Sequence, residues 1–206
     1  MASPAGEPPD DELVRRYVAG DAGAFSVLVS RHERRVYNLA YRMLGRDEDA
    51  RDATQDAFLT ALRKLTSFRG EAAFTTWMHR VTVNACYDIL RKRKREPVLD
   101  QLPEEDRAGG SDRPAGPAAR PSPDHAESAA TAVDVQRALV QVPYDFRTVL
   151  VLHDVQDLGY EEIAGILGIP VGTVKSRLHR GRAALGRLLG GERSGSQEPS
   201  EGRMSP

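Results

Sequence analysis

Apolar residues recur along this chain at helical spacing and almost nowhere alternate as a strand would require. Leu13, Tyr17 and Val18, then Phe25, Leu28 and Val29, then Val36, Leu39, Ala40 and Met43 each mark one face of a helix. After "GRDEDARD", whose acids suit a helix N-terminus, a further stripe runs through Ala57, Phe58, Ala61, Leu62 and Leu65. "SFRGEAAF" interrupts the pattern at Gly70. A helix resumes around Trp77, Val81, Ala85 and Leu90, dissolves into "RKRKREP", and Pro97 closes the block. A second block carries Val135, Ala138, Leu139 and Val142, then Phe146, Val149, Leu150 and Leu152, and then a long periodic stretch to Leu189. Between the blocks, Pro, Gly, Ala and acids replace the periodic apolar residues and leave little to bury. The pattern predicts an all-α protein of two small helical domains, 10–97 and 132–190. A flexible acidic linker over 98–131 joins them, and a disordered tail over 191–206 follows.

Composition adds little until charge is taken locally. The 206 residues include 29 Lys and Arg against 30 Asp and Glu, a formal net charge of -1, so any polyanion partner must be met by a segregated patch. Such a patch exists. "LGIPVGTVKSRLHRGRAALGRLL", Leu167 to Leu189, carries Lys175, Arg177, Arg180, Arg182 and Arg187 and no carboxylate. Cys86 is the only cysteine, so no internal disulfide can form. A small buried residue and a reducing, cytoplasmic setting are expected. "MASPAGEPPDDEL" has neither a basic start nor an apolar run, and no segment has bilayer-spanning length, so neither secretion nor membrane insertion is expected.

The basic stretch ends a segment, "GYEEIAGILGIPVGTVKSRLHRGRAALGRLL", with the layout of a helix-turn-helix. Ala164 is small where two helices must cross closely. Gly168, four residues on, can take the left-handed conformation that ends a helix, and Val174 reaches back into the shared core. Val174, Leu178 and Leu185 line one face of the second helix. On other faces Lys175 stacks over His179 and Ser176 over Arg180, with Arg177 and Arg182 flanking. A solvated amphipathic helix is the plain alternative, but the Ala, Gly and Val spacing favours DNA, whose guanine edges and phosphates suit such side chains.

With these residues in place, "LGYEEIAGILGIPVGTVKSRLHRGRAAL" strongly resembles region 4 of extracytoplasmic-function sigma factors, the two-domain promoter-recognition subunits of bacterial RNA polymerase in the sigma-70 family. "AFSVLVSRHERRVYNLAYRMLGRDEDARDATQDAFLTALRKL" resembles their regions 2.1 and 2.2, and "FRGEAAFTTWMHRVTVNACYDILRKRKRE" their regions 2.3 and 2.4. The resemblance implies a region 2 helical bundle and a region 4 helix-turn-helix, with core polymerase, promoter DNA and an anti-sigma factor as partners. It implies that Thr173, Lys175, Ser176, Arg177, His179, Arg180 and Arg182 read the minus 35 element. The loop from Phe68 to Phe74, including Arg69 and Gly70, would form a pocket for a flipped base of the minus 10 element. Asn84 would contact that element, and Arg80, Arg91 and Arg93 its phosphates. Asp52, Gln55, Asp56, Phe58 and Leu59 would dock on the beta-prime clamp helices, while the beta flap is a further contact on core polymerase. Phe58 could equally be core, and Trp77 reads as core rather than as a stacking platform. In the family the acidic linker threads towards the polymerase active site; a plain spacer fits these residues equally well.

Two other classes compete. One is a standalone helix-turn-helix regulator with an N-terminal sensing or receiver domain; a receiver would need alternating strands and helices with phosphorylatable acids after the strands, and the first block shows neither. An enzyme would need a site: His32-Glu33 lacks the second histidine of HExxH, His153-Asp154 is an isolated pair, and no phosphate loop or nucleophile elbow occurs. No catalytic residue, metal or cofactor is expected. Two residues depart from the family habit. Pro170 stands where Ser commonly caps the second helix, and Gly181 replaces a commoner Ala at a cost of about 1 kcal/mol if it is exposed.

Overall fold

The computed structural model describes residues 8–68, 70, 72–95 and 133–194, with side chains to 190; Arg69, the segment 98–131 and residues 195–206 lie outside the described residues. Among the described residues every regular element is helical. Helix α1 (Asp10–Val18) begins with Asp10, Asp11 and Glu12, carboxylates that complement the helix dipole. Asp10 also fastens α1 to its neighbour, accepting from Arg31 at 2.5 Å and meeting His32 Nε2 at 2.7 Å. Helix α2 (Ala22–Leu44) buries Ala24, Leu28, His32, Val36, Leu39, Ala40 and Met43, one face of a 3.6-residue repeat. It stops at Gly45, whose φ of 80° lies in the left-handed region and whose N–H caps Tyr41 O.

Helix α3 (Asp47–Lys64) presents Ala50, Ala53, Ala57 and Ala61 inwards, small residues that let it lie close to its neighbours. A 3-10 turn (Leu65–Ser67) leads through Gly70, φ 70°, to α4 (Phe74–Arg95). Lys92, Arg93, Lys94 and Arg95 form its last turn, where cations are favoured. The expected stripes hold with two exceptions, Val18 and Leu62, which are exposed.

In the second block α5 (133–141) and α6 (Tyr144–Leu150) pack against each other, and α6 runs on as a π turn (Val151–Val155). Then come α7 (Tyr160–Leu167) and α8 (Val171–Ser194). Gly168 adopts φ 65°, ψ 35° with its N–H on Ala164 O, the left-handed stop expected from the spacing. The Pro170 carbonyl accepts from Thr173 and Val174 N–H, so the first turn of α8 starts without a hydroxyl cap. Helix α8 continues four residues into the stretch expected to be a disordered tail. Gly181 is not exposed but buried against α6: a Cβ there would stand 3.1 Å from Phe146 O, so the glycine answers a close helix crossing.

The two blocks do not stand apart. One core, from Leu13 to Phe74 and Met78, belongs to the first block alone. The other joins Leu39, Met43, Ala50, Val83 and Cys86 of the first block to Leu139, Leu152, Ile163, Val174 and Leu178 of the second. Cys86 is buried in that joint core, and burial pushes its thiol up to about 12.

Candidate nucleic-acid interface

Helix α8 is held by Val174 and Leu178, both buried, and this fixes which residues face outward. Gly172, Lys175, Ser176, His179, Arg180 and Ala183 are exposed and follow one another at three- and four-residue intervals, a stripe with no carboxylate in it. Lys175 Nζ lies 5.5 Å from the Tyr160 ring centroid, so the aromatic side chain of α7 holds the ammonium at one margin of the stripe. Thr173 is half-buried at the other margin. The flanking arginines are already engaged. Arg182 pairs with Asp154 of the π turn through two hydrogen bonds, one at 3.0 Å, and Arg177 reaches Asp145 of α6 at 3.4 Å. Of the seven minus 35 candidates, four share the open stripe, two are partnered at its edges, and Thr173 is half-buried.

A second candidate face lies on α4 and the loop before it. Phe68 is half-buried against Trp77 (ring centroids 5.3 Å) and Phe74 (6.2 Å). A pocket of about 670 Å³ is lined here by Phe68, Thr76, Trp77 and Arg80, with Glu161, Glu162 and Ile166 of α7 across from them. Gly70 is open, with nothing near the position a Cβ would take. Phe74 is the correction in this group: at 1% exposure, packed on His32, Phe68 and Trp77, it shapes the floor of the region and cannot touch a base. Trp77 joins the same core margin, as expected.

Asn84, exposed one turn past Arg80, lines a separate cleft of about 990 Å³ with Arg91, Asp145 and Arg177. Arg91 pairs loosely with Asp88 at 3.4 Å, and Arg93 is bound to Asp49 of α3. Arg93 is thus a strap between α3 and α4 as well as an exposed cation, a partner the linear sequence did not indicate. Beneath the face, His79 is 4% exposed with neither ring nitrogen hydrogen-bonded. Burial, helped by the charge of Arg35, lowers it from 6.5 to about 4, so it is neutral near pH 7.

Helix α3 offers a third surface. Asp52, Gln55, Asp56 and Leu59 are exposed on it, and Leu62 extends the set to a mixed acidic and apolar stripe. Sequence periodicity had placed Leu62 in the core. Phe58 is half-buried against the first core and so serves packing with part of its ring. Among the described residues no group of three or more His, Cys, Asp or Glu could hold a metal ion, and no helix is long and apolar enough to cross a membrane.

Residues 28–96 match the Sigma-70 region 2 family, and residues 132–185 match the Sigma-70, region 4 family. The ECF RNA polymerase sigma factor SigM of Mycobacterium tuberculosis is 42% identical over 181 residues, which is 88% of this chain and 85% of that protein. Two solved structures are similar in fold. The sigma factor RpoE of Bartonella quintana, in complex with the anti-sigma factor NepR, is 28% identical with a TM-score of 0.61, over 81% of this chain and 96% of that one. CnrH, in complex with the cytosolic domain of CnrY, is 25% identical with a TM-score of 0.63, over 89% and 98%.

Proposed function

This chain belongs to the extracytoplasmic-function (ECF) sigma factors of the sigma-70 family, and we propose from that premise how its own residues divide the work of promoter recognition. The observation that carries the reading is the carboxylate-free stripe of Lys175, Ser176, His179 and Arg180 on the second helix of a helix-turn-helix. A stripe of that width enters a major groove, where Lys and Arg bond guanine N7 and O6 and the hydroxyl and imidazole add further donors. These four residues read the minus 35 element. Arg177, Arg182 and Thr173 contact phosphates beside it once their present partners are exchanged for DNA.

The first domain, 10–97, reads the minus 10 element. Unpaired bases leave their stack only when another surface receives them, and the pocket beside Phe68, Thr76 and Trp77 offers an aromatic wall with Arg80 at hand for a phosphate. Asn84 bonds a base edge; Gly70, with Arg69 beside it in sequence, lets the backbone approach; Arg91 and Arg93 neutralise phosphates. Asp52, Gln55, Asp56 and Leu59, with Leu62, dock on the beta-prime clamp helices, where carboxylates steer and leucines anchor. The second domain, 132–190, takes the beta flap and minus 35, and the segment 98–131 joins the two. The protein acts in the cytoplasm. It directs the polymerase without catalysing nucleotide addition, and it answers to an anti-sigma factor, as the RpoE structure's NepR suggests by analogy.

The test is transcription from fragmented genomic DNA by bacterial core RNA polymerase, with and without the purified protein, followed by sequencing of the run-off transcripts. New start sites that share a two-part upstream sequence are expected. A competent core enzyme that neither binds the protein nor gains start sites would refute the assignment.

A further inference from the structure

Helix α2 carries a charge pattern that neither the promoter-reading faces nor the clamp-docking surface uses. Arg31, Arg34, Arg35, Asn38 and Arg42 succeed one another at short helical intervals and share one side of the helix. Like charges so spaced disfavour a helix, so the pattern is not explained by helix stability. Arg31 is tied to Asp10 at 2.5 Å, whereas Arg34 and Arg35 are exposed and make no ion pair among the described residues. The charge of Arg35 is felt inside the protein: after burial, it is the next cause holding His79 down at about 4.

This side of α2 is one wall of a cleft of about 1070 Å³; α5 and the end of the π turn supply the other. Gln136 of α5 accepts from Arg42 and donates to Tyr41 O, each at 3.0 Å, which holds the Arg42 guanidinium in place with donors to spare. Tyr37 and Tyr41 stack nearly parallel in the same wall, 6.2 Å between centroids and 15° between planes, and the Tyr37 hydroxyl is anchored on Asp47. Facing them, Val133 and Val155 are 49% and 47% exposed, apolar side chains left open at the rim. Asp157 is the one carboxylate of the lining. It stands two residues past the π turn with a φ of 57°, the single non-glycine residue of positive φ among the described residues, and such backbone geometry gathers at ligand sites.

We propose that this cleft binds a nucleoside polyphosphate. Arg34, Arg35 and Arg42 take the phosphates, whose oxygens match the planar fork of a guanidinium. The base lies on the Tyr41 ring with Val133 and Val155 over its other side, and Asn38 and Asp157 are at hand for its edge and for the ribose hydroxyls. An inorganic polyanion would use the arginines alone, and an acidic peptide brings no flat ring to the tyrosine pair. A base joined to phosphates uses both halves of the cleft. None of the residues assigned to promoter DNA or to the clamp helices lines it, so binding here does not depend on the sigma-factor function.

Calorimetric titration of the full-length protein tests it, with ATP, GTP, their nucleosides and tripolyphosphate as probes in metal-free buffer. ATP or GTP is expected to bind saturably and, at about 100 times its Kd, to raise Tm by about 5 °C or more. The better nucleotide should outbind both its nucleoside and tripolyphosphate by at least about tenfold, since each leaves half of the contacts unmade. The double variant Arg34→Gln/Arg35→Gln should weaken nucleotide binding by at least about tenfold through lost charge-assisted hydrogen bonds. Val133→Asp changes an exposed rim position that the fold does not depend on, and should cost about fivefold or more by setting a carboxylate against the phosphates. Absence of saturable binding at millimolar ATP and GTP would overturn the site. Tripolyphosphate or a single-stranded oligonucleotide binding as tightly as the nucleotide would overturn the ligand class. Unchanged affinity in both variants, with circular dichroism unaltered, would place the binding elsewhere and overturn the assignment to α2.

Discussion

His79 makes the stability of this protein depend on pH in a way that can be calculated. Its ring is 4% exposed, both nitrogens lack hydrogen bonds, and burial and then the charge of Arg35 lower it from 6.5 to about 4. Between those values the unfolded chain binds a proton that the folded chain refuses, so acid favours unfolding. The stability is fully present above pH 6.5 and falls as the pH drops towards 4, at about 1.4 kcal/mol per pH unit. At pH 5 the loss is about 2 kcal/mol, most of it above the range where ordinary carboxylates titrate. For a chain of this size that corresponds to a fall of about 4–8 °C in Tm. The assay is thermal melting by circular dichroism at pH 7.5 and pH 5 for the unaltered protein and for His79→Gln, which cannot titrate. The variant's own stability is immaterial; only the difference between the two pH values counts. The unaltered protein should lose about 4–8 °C more than the variant. Parallel falls would refute the argument, because a solvated His79 would have no shifted proton to lose.

Gly181→Ala should be destabilising by about 1 kcal/mol: a gain of about 1 kcal/mol in helix propensity is outweighed by an overpacking cost of about 1–3 kcal/mol where the Cβ meets Phe146 O and Leu150. The midpoint of urea unfolding measures it, and a higher midpoint would show that α6 yields. Replacing Lys175 and Arg180 by Ala should weaken holoenzyme binding to a minus 35 duplex by about 1–3 kcal/mol per lost guanine contact. In the same titration, unchanged affinity and promoter choice would remove both from the interface. Asn84→Ala should lower open-complex formation, read by permanganate reactivity of unpaired thymines, while leaving core polymerase binding unchanged; equal losses in both would indicate misfolding instead.

Much of this was legible in the chain because the signals are local. Four-residue spacing from Ala164 to Gly168 and the apolar pair Val174 and Leu178 define α7, the turn and α8, and the structure reproduces them. The outward stripe of α8 follows from the same periodicity. What escaped was set by long-range packing. Phe74 sits in a stretch that reads as a loop, yet the rings of His32, Phe68 and Trp77 converge to bury it. Leu62 keeps helical step with core residues but falls on the open side of α3. Arg177 and Arg182 look like their neighbours in sequence, and only the fold brings Asp145 and Asp154 to them. The joint between the domains was least visible, because Arg147 is bonded to backbone carbonyls, which every sequence has, and Gly45 is matched to Val140 across some ninety-five positions.

The proposed division of labour is that one chain reads both promoter elements, each with a different domain. It is tested most directly by tethered DNA cleavage in the holoenzyme on a mapped promoter. An iron-chelate reagent is attached through Asp88→Cys, one turn from Asn84, or through Ala183→Cys, one turn from His179; both sites are exposed, and buried Cys86 stays unlabelled. Cuts are expected around minus 10 from the first variant and around minus 35 from the second, about two helical turns upstream. Cuts from both tethers at one element, or from neither near the promoter, would contradict it.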